Sequence, residues 1–100
     1  MNFPLIGTTL RVLILERNDI SDAGVQTLSK FLDSTRSLIM LSLKANNIKI
    51  SGITHLAKAL AVNHQLRYLS LASNPIENYG VAQLGKALKV MMMEIIFITK

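Results

Sequence analysis

Residues 38–65 read LIMLSLKANNIKISGITHLAKALAVNHQ, and the same pattern occurs once before this stretch and once after it. Residues 10–37 and 66–93 align with it without an insertion, so matching residues stand 28 apart. Nine positions carry the same residue in all three copies. Chance does not produce nine matching columns at one period, so the sequence predicts three stacked copies of one structural unit. In the second copy these positions are Leu38, Leu41, Leu43, Asn46, Ile48, Gly52, Leu56, Lys58 and Leu60.

The first half of each copy has the pattern of a short strand followed by a turn. Leu13 and Leu15 alternate with other residues, which is the two-residue period of a strand with one buried face. Asn18 follows where the chain leaves the strand, and a buried asparagine can hydrogen-bond backbone groups that the turn leaves unpaired. Stacked copies are therefore expected to form an asparagine ladder, with Ile20 pointing back inside.

The second half of each copy has the pattern of a helix. Gly24, Leu28 and Leu32 recur every four residues and so lie on one helical face. We expect Ser21 and Ser51 to cap the N-termini of their helices. The repeated glycine is expected where the helix backbone comes close to the sheet layer. Each unit is therefore predicted to run strand, turn, helix and return loop.

Stacking these units gives an α/β fold, because one unit cannot bury its own apolar side. Parallel strands are expected on one side and helices on the other. The strands are shorter than the helices, which favours a curved stack with the strands on the concave face and the helices on the convex face. We interpret residues 1–100 as a single domain. Its parts are a partial repeat or cap at 1–9, repeats at 10–37, 38–65 and 66–93, and an incomplete fourth repeat at 94–100.

The two ends are less regular than the middle. A fourth strand is expected at Ile95 to Ile98, where the repeat pattern returns after a shift of one residue. Neither end shows the polar capping unit that terminal repeats need to shield the core. The sequence therefore favours a fragment of a longer repeat protein, and the alternative is a small protein that self-associates end to end.

Composition favours a packed intracellular domain. Half of the 100 residues are hydrophobic and 17% are charged, which is too apolar for disorder. Cysteine is absent, which excludes disulfides and thiolate metal sites and favours a reducing, cytoplasmic location. No apolar stretch reaches the roughly 18 residues of a membrane span. The net charge of +5 is spread along the chain, so a solvated surface is the preferred interpretation and nucleic-acid binding a minor alternative.

Residues that could carry catalysis or hold a cofactor are few. His55 and His64 lack the spacing of a metal site, and no glycine-rich phosphate loop or nucleophile elbow occurs. We therefore expect no enzyme activity, no cofactor and no metal. Lys30, Lys58 and Lys86 form a repeated column on the helix side. A solvated outer face explains this column best, and a stripe that attracts an acidic partner is the alternative.

The alternation of the strands identifies the side chains that face outward. Because Leu13 and Leu15 point inside, Val12, Ile14 and Glu16 are predicted on the opposite, concave surface. Their counterparts are Met40, Ser42 and Lys44 in the second copy and Tyr68, Ser70 and Ala72 in the third, and Arg17 follows at the end of the first strand.

These outward residues form rows, because neighbouring parallel strands lie about 4.8 Å apart. Val12, Met40 and Tyr68 make an apolar row, and Glu16 is predicted to lie beside Lys44. Aromatic and methionine side chains are enriched at interface cores, so Tyr68 and Met40 are the predicted anchors for a partner protein. The competing interpretation is that such residues simply suit strands.

The repeated motif Leu-x-x-Leu-x-Leu-x-x-Asn-x-Ile, followed by x-x-x-Gly-x-x-x-Leu-x-x-x-Leu, resembles the ribonuclease-inhibitor-like class of leucine-rich repeats over residues 10–93. The resemblance implies a right-handed horseshoe solenoid that binds a protein partner on its concave strands and neighbouring loops. The class includes Ran GTPase-activating proteins, so regulation of a small GTPase is the alternative function. Arg17 would then be the candidate arginine.

Overall fold

The computed structural model describes residues 9–63, 65–88 and 94–96, and there strands alternate with helices. Each strand is three residues long, whereas the helices have 11 to 14 residues. The elements are β1 (Val12–Ile14), α1 (Ser21–Ser34), β2 (Met40–Ser42), α2 (Ile50–Val62), β3 (Tyr68–Ser70), α3 (Asn78–Leu88) and β4 (Glu94–Ile96). The predicted α/β fold with parallel strands is confirmed. The expected partial repeat or cap at 1–9 falls almost wholly outside the described residues.

The strands form one parallel sheet in the order β1-β2-β3-β4. Leu13 pairs with Leu41 and Leu41 with Leu69, so each residue lies beside its equivalent 28 positions away. The fourth strand breaks this spacing, because Ile95 lies beside Leu69, only 26 residues later. The expected fourth strand is present and overlaps the predicted span at Ile95 and Ile96, but its register differs from the predicted one, which aligned Ile98 with Leu69. Residues 97 and 98 of the predicted span lie outside the described residues. The return from β3 to β4 is two residues shorter than the earlier ones.

The asparagine ladder is confirmed by the hydrogen bonds of Asn46 and Asn74. Asn46 is fully buried, and its Oδ1 accepts hydrogen bonds from the backbone N–H of Asn18 at 2.9 Å and of Ile20 at 3.2 Å. Asn74 Oδ1 accepts in the same way from Asn46 at 2.9 Å and from Ile48 at 3.0 Å. Each of these asparagines thus completes the turn of the repeat before it.

The amide group of Asn46 also donates two hydrogen bonds to carbonyl oxygens. Nδ2 bonds the carbonyl of Leu15 at 2.6 Å and that of Lys44 at 3.1 Å. The side chain therefore bonds four backbone groups, two N–H donors and two carbonyl acceptors, and of these the carbonyl of Lys44 also accepts from the N–H of Arg17 in the sheet ladder. Buried backbone groups without partners are costly, so the asparagine is required by the turn that it fills.

The expected serine caps were wrong. Ile20 and Lys49 occupy the N-cap positions of α1 and α2, and neither forms a side-chain cap hydrogen bond. The start of α2 is instead held by the preceding repeat, since Asp22 Oδ1 accepts a hydrogen bond from the backbone N–H of Lys49 at 2.7 Å. Ser51 lies inside the first turn of α2.

The repeated glycines are close-approach sites, although their neighbours differ from the expected sheet layer. A Cβ on Gly24 would lie 2.5 Å from Ile20 Cγ2, and a Cβ on Gly80 would lie 2.9 Å from Ile76 Cγ2. The glycine therefore makes room for the isoleucine four residues earlier. At Gly52 the preceding helix is also close, because the added Cβ would lie 3.2 Å from the Cα of Asp22.

The core between the two layers is aliphatic. Leu41, Leu43 and Leu56 are fully buried, and their equivalents in the third repeat are at most 2% exposed. Leu13 and Leu15 of the first repeat are partly buried and pack against this core. Two short polar residues at equivalent positions close the helix ends, Thr35 after α1 and Asn63 after α2, and both are about 1% exposed. Asn63 Oδ1 accepts from the N–H of Leu66 at 2.9 Å, so the return loop is fastened to the next strand.

In the described part of the chain, none of the helices has the length and hydropathy needed to cross a bilayer.

Candidate partner-binding surface

The strand face is the surface formed by the outward side chains of β1, β2 and β3 and of the residues just after them. Its apolar row is Val12, Met40 and Tyr68, which are direct register partners on adjacent strands. Val12 is 49% exposed, Tyr68 is 44% exposed and Met40 between them is half-buried. The structure therefore brings the predicted anchors together in one continuous exposed row.

The next row along the strands is Ile14, Ser42 and Ser70. Ile14 is 58% exposed and extends the apolar surface next to Val12. Ser42 is only 2% exposed, because its hydroxyl donates a hydrogen bond of 2.7 Å to Glu16 Oε2 and the glutamate side chain lies over it. The expectation that Ser42 presents its side chain to a partner was therefore wrong, whereas Ser70 is half-buried and reachable.

The third row is Glu16, Lys44 and Ala72. The carboxylate of Glu16 accepts a hydrogen bond from Ser42, and within the described residues no salt bridge joins it to Lys44. Glu16 and Lys44 are both half-buried. Ala72 is 2% exposed, because a single methyl group projects little beyond the surrounding backbone. Ala72 was therefore also wrongly expected to be an exposed contact residue.

The strand ends turn sharply in a repeated way. Arg17, Ala45 and Ser73 stand 28 residues apart and all have left-handed backbone, with φ of 57°, 57° and 58°. The sheet ladder extends to this point, since the N–H of Arg17 donates to the carbonyl of Lys44 at 3.0 Å. Arg17 is exposed at this margin of the strand face.

The opposite margin carries two arginines that the sequence analysis did not single out. Arg11 and Arg67 directly precede β1 and β3 and are exposed. Arg11 and Arg67 occupy equivalent positions in the first and third repeats, and Ile39 occupies that position in the second. The recurrence of arginine at this position could have identified the pair from the sequence. With Arg17 they place positive charge at both ends of these strands.

The described residues contain no group of three histidine, aspartate or glutamate side chains that could bind a metal ion. His55 is half-buried on α2, and His64 lies outside the described residues.

Comparisons with known proteins agree with this architecture. The sequence model of a family described as "Leucine Rich repeat" matches residues 8–29 and 62–85. The chain is also similar to a solved structure titled "Leiomodin-1 Actin-Binding Site 2 (ABS2)", with a TM-score of 0.86 and 19% identity over 95% of this chain and 57% of that chain. The chain thus spans a little over half the length of that structure. The comparison with curated protein sequences finds no match.

At 19% identity the structural likeness concerns the fold. Taken with the two segments that the family model matches, the 28-residue register of the sheet and the asparagine ladder, it shows that the chain has a leucine-rich repeat architecture.

Proposed function

We propose that this chain is a non-catalytic scaffold that binds a partner protein through its strand face and the adjoining loops. The observation that carries the proposal is the row Val12, Met40 and Tyr68, extended by Ile14, in which large apolar side chains lie exposed on adjacent strands. Contiguous exposed apolar patches mark interaction sites more often than scattered apolar residues do. The rigid sheet holds these side chains in place, so little ordering is needed when a partner binds.

The fold supports the same class of function. The similar solved structure carries actin binding in its title. We therefore propose monomeric actin as the first partner to test with this chain. Regulation of a small GTPase through Arg17 stays a prediction from the family resemblance.

The finer classification also forms part of the proposal. A parallel strand-helix-strand connection is right-handed in about 98% of cases, which supports a right-handed solenoid. Strands stack about 4.8 Å apart and helices 8–10 Å apart, which supports a concave strand face and a convex helix layer.

The motif over residues 10–93 supports the ribonuclease-inhibitor-like class and the three repeats at 10–37, 38–65 and 66–93. The absence of cysteine from the sequence supports a cytoplasmic location.

The proposal predicts that Tyr68→Asp weakens binding of fluorescently labelled monomeric actin about tenfold, measured by anisotropy. A charge placed at the centre of an interface costs about 1–2 kcal/mol or more, as anchor residues usually do. Val62→Asp is the matched control, because Val62 is 58% exposed at the end of α2, away from the strand face. It should bind actin like the unchanged chain.

Circular dichroism establishes that both variants are folded, which is expected because Tyr68 is 44% exposed. Unchanged affinity of a folded Tyr68→Asp variant would contradict the strand face as the binding surface. A lack of binding by the unchanged chain would contradict actin as its partner.

A further inference from the structure

Helices α2 and α3 leave an open groove of about 390 Å³ on the exposed side of the helix layer. This α2–α3 groove is separate from the strand face, since none of its lining residues lies on β1, β2 or β3. Three alanines contribute small apolar side chains to its lining. The lining includes Ala57, Ala61, Ala82, Tyr79, Lys58 and Lys86.

The groove has two positive charges and no negative one. Lys58 comes from α2 and Lys86 from the equivalent position of α3, so one ammonium group belongs to each wall. Both lysines are exposed, and neither α2 nor α3 contains an acidic residue. Within the described residues neither lysine forms a salt bridge. An anionic group lying between the helices would therefore meet two cations that have no competing partner.

The neighbouring groove between α1 and α2 has a different charge pattern. It measures about 320 Å³ and is lined by Lys30 and Lys58, and also by Asp33. The carboxylate of Asp33 offsets part of the positive charge there. The first walls of the two grooves use equivalent positions, and Asp33 stands where Ala61 stands in the α2–α3 groove. The α2–α3 groove is therefore the better site for an anionic partner.

Tyr79 gives the α2–α3 groove an apolar end. Its side chain is 67% exposed, and it stands seven residues before Lys86, which is about 10 Å along a helix. The two walls are in contact between these points, because the Thr54 hydroxyl, which also lies 2.9 Å from the carbonyl of Ile50, shares its hydrogen with Gln83 Oε1 at 2.9 Å. The groove thus presents an aromatic ring at one end and a pair of lysines at the other, and a side-chain contact joins the two helices between them.

We propose that the α2–α3 groove is a second docking site, which takes an acidic amphipathic segment of a partner protein. A carboxylate of that segment lies between Lys58 and Lys86, and an apolar side chain packs against Tyr79 and the alanines. The complementarity of charge selects an acidic occupant, and the exposed ring selects one that also carries apolar groups. The site lies beyond the proposed function, because it uses the helix layer and needs no contact with the strand face.

The test measures anisotropy of a fluorescein-labelled peptide made of repeated Glu-Glu-Leu units as the 100-residue chain is added at low salt. Binding is expected, and it should weaken as salt is raised, because exposed charges are screened. Lys86→Gln should weaken it about fivefold, the upper range for an exposed ion pair, and Tyr79→Ser should have a similar effect. A peptide of repeated Gln-Gln-Leu units should not bind.

The matched control is Lys30→Gln, which removes the same charge from the equivalent position of the first helix. It should leave the affinity within twofold of the unchanged chain. An equal loss in Lys30→Gln and Lys86→Gln would overturn the proposal, since binding would then follow net charge alone. Tighter binding of single-stranded oligothymidylate than of the acidic peptide, also lost in Lys86→Gln, would overturn the acidic protein segment as the occupant. Tyr68→Asp should leave peptide binding unchanged, because Tyr68 lies on the strand face. A loss of peptide binding in that variant would overturn the groove as a separate site.

Discussion

Replacing Asn46 by alanine is expected to lower the free energy of unfolding by about 3 kcal/mol. The side chain is fully buried and bonds four backbone groups, the N–H of Asn18 and Ile20 and the carbonyls of Leu15 and Lys44. Alanine would leave the two N–H groups and the carbonyl of Leu15 without that partner, whereas the carbonyl of Lys44 would keep its bond to the N–H of Arg17. Each buried unsatisfied group costs about 1–3 kcal/mol before water reaches it. Such a loss is a large part of the roughly 5–15 kcal/mol that stabilises a typical domain.

The measurement is urea unfolding followed by circular dichroism. Asn18→Ala is the matched control, because it occupies the same repeat position, is exposed, and its amide forms a single hydrogen bond of 2.9 Å to the carbonyl of Glu16. We expect a loss below about 1 kcal/mol for that variant. Equal losses at Asn18 and Asn46 would show that burial in the ladder is unimportant.

Replacing Gly52 by alanine is expected to destabilise the chain by about 2 kcal/mol, although alanine is the better helix former. The new methyl group would lie 2.5 Å from Asp22 Oδ1, 3.0 Å from Ile48 Cγ2 and 3.2 Å from the Cα of Asp22. The carboxylate cannot move away freely, because it accepts the hydrogen bond from the N–H of Lys49. Relief of the overlap therefore requires α1 and α2 to separate or this hydrogen bond to break.

Gly85→Ala is expected to change the free energy of unfolding in the opposite direction. Gly85 lies inside α3, and a Cβ there would meet nothing within 4 Å. This substitution should stabilise the chain by about 0.5–1 kcal/mol, because alanine restricts the unfolded chain and favours the helix. Both variants are compared by the same urea titration. Stabilisation by Gly52→Ala would contradict the close contact of α1 with α2.

Much of the fold follows from the repeat alone. Identical residues at a fixed spacing must occupy identical environments once the units stack, so Leu13, Leu41 and Leu69 had to be register partners. The role of Asn46 followed from its chemistry, because a short amide group after a strand suits unpaired turn backbone. The apolar row of Val12, Met40 and Tyr68 followed from strand alternation.

Properties that depend on neighbouring side chains did not follow from the repeat. Alternation gives the direction of Ser42 but cannot show that Glu16 bends over it. The start of α2 depends on Asp22 from the previous repeat, a contact without an equivalent column in the sequence. The presence of β4 was predicted but its register was not, because the last connection is two residues shorter and the repeat pattern that fixed the other registers is lost there.

The asparagine hydrogen bonds all point in one direction along the chain. Asn46 completes the turn that contains Asn18 and Ile20, and Asn74 completes the turn that contains Asn46 and Ile48. A ribosome releases the N-terminal repeat first, yet the residue that satisfies its turn is made 28 residues later. We therefore expect folding during synthesis to lag one repeat behind the growing chain, with each new asparagine fixing the repeat before it.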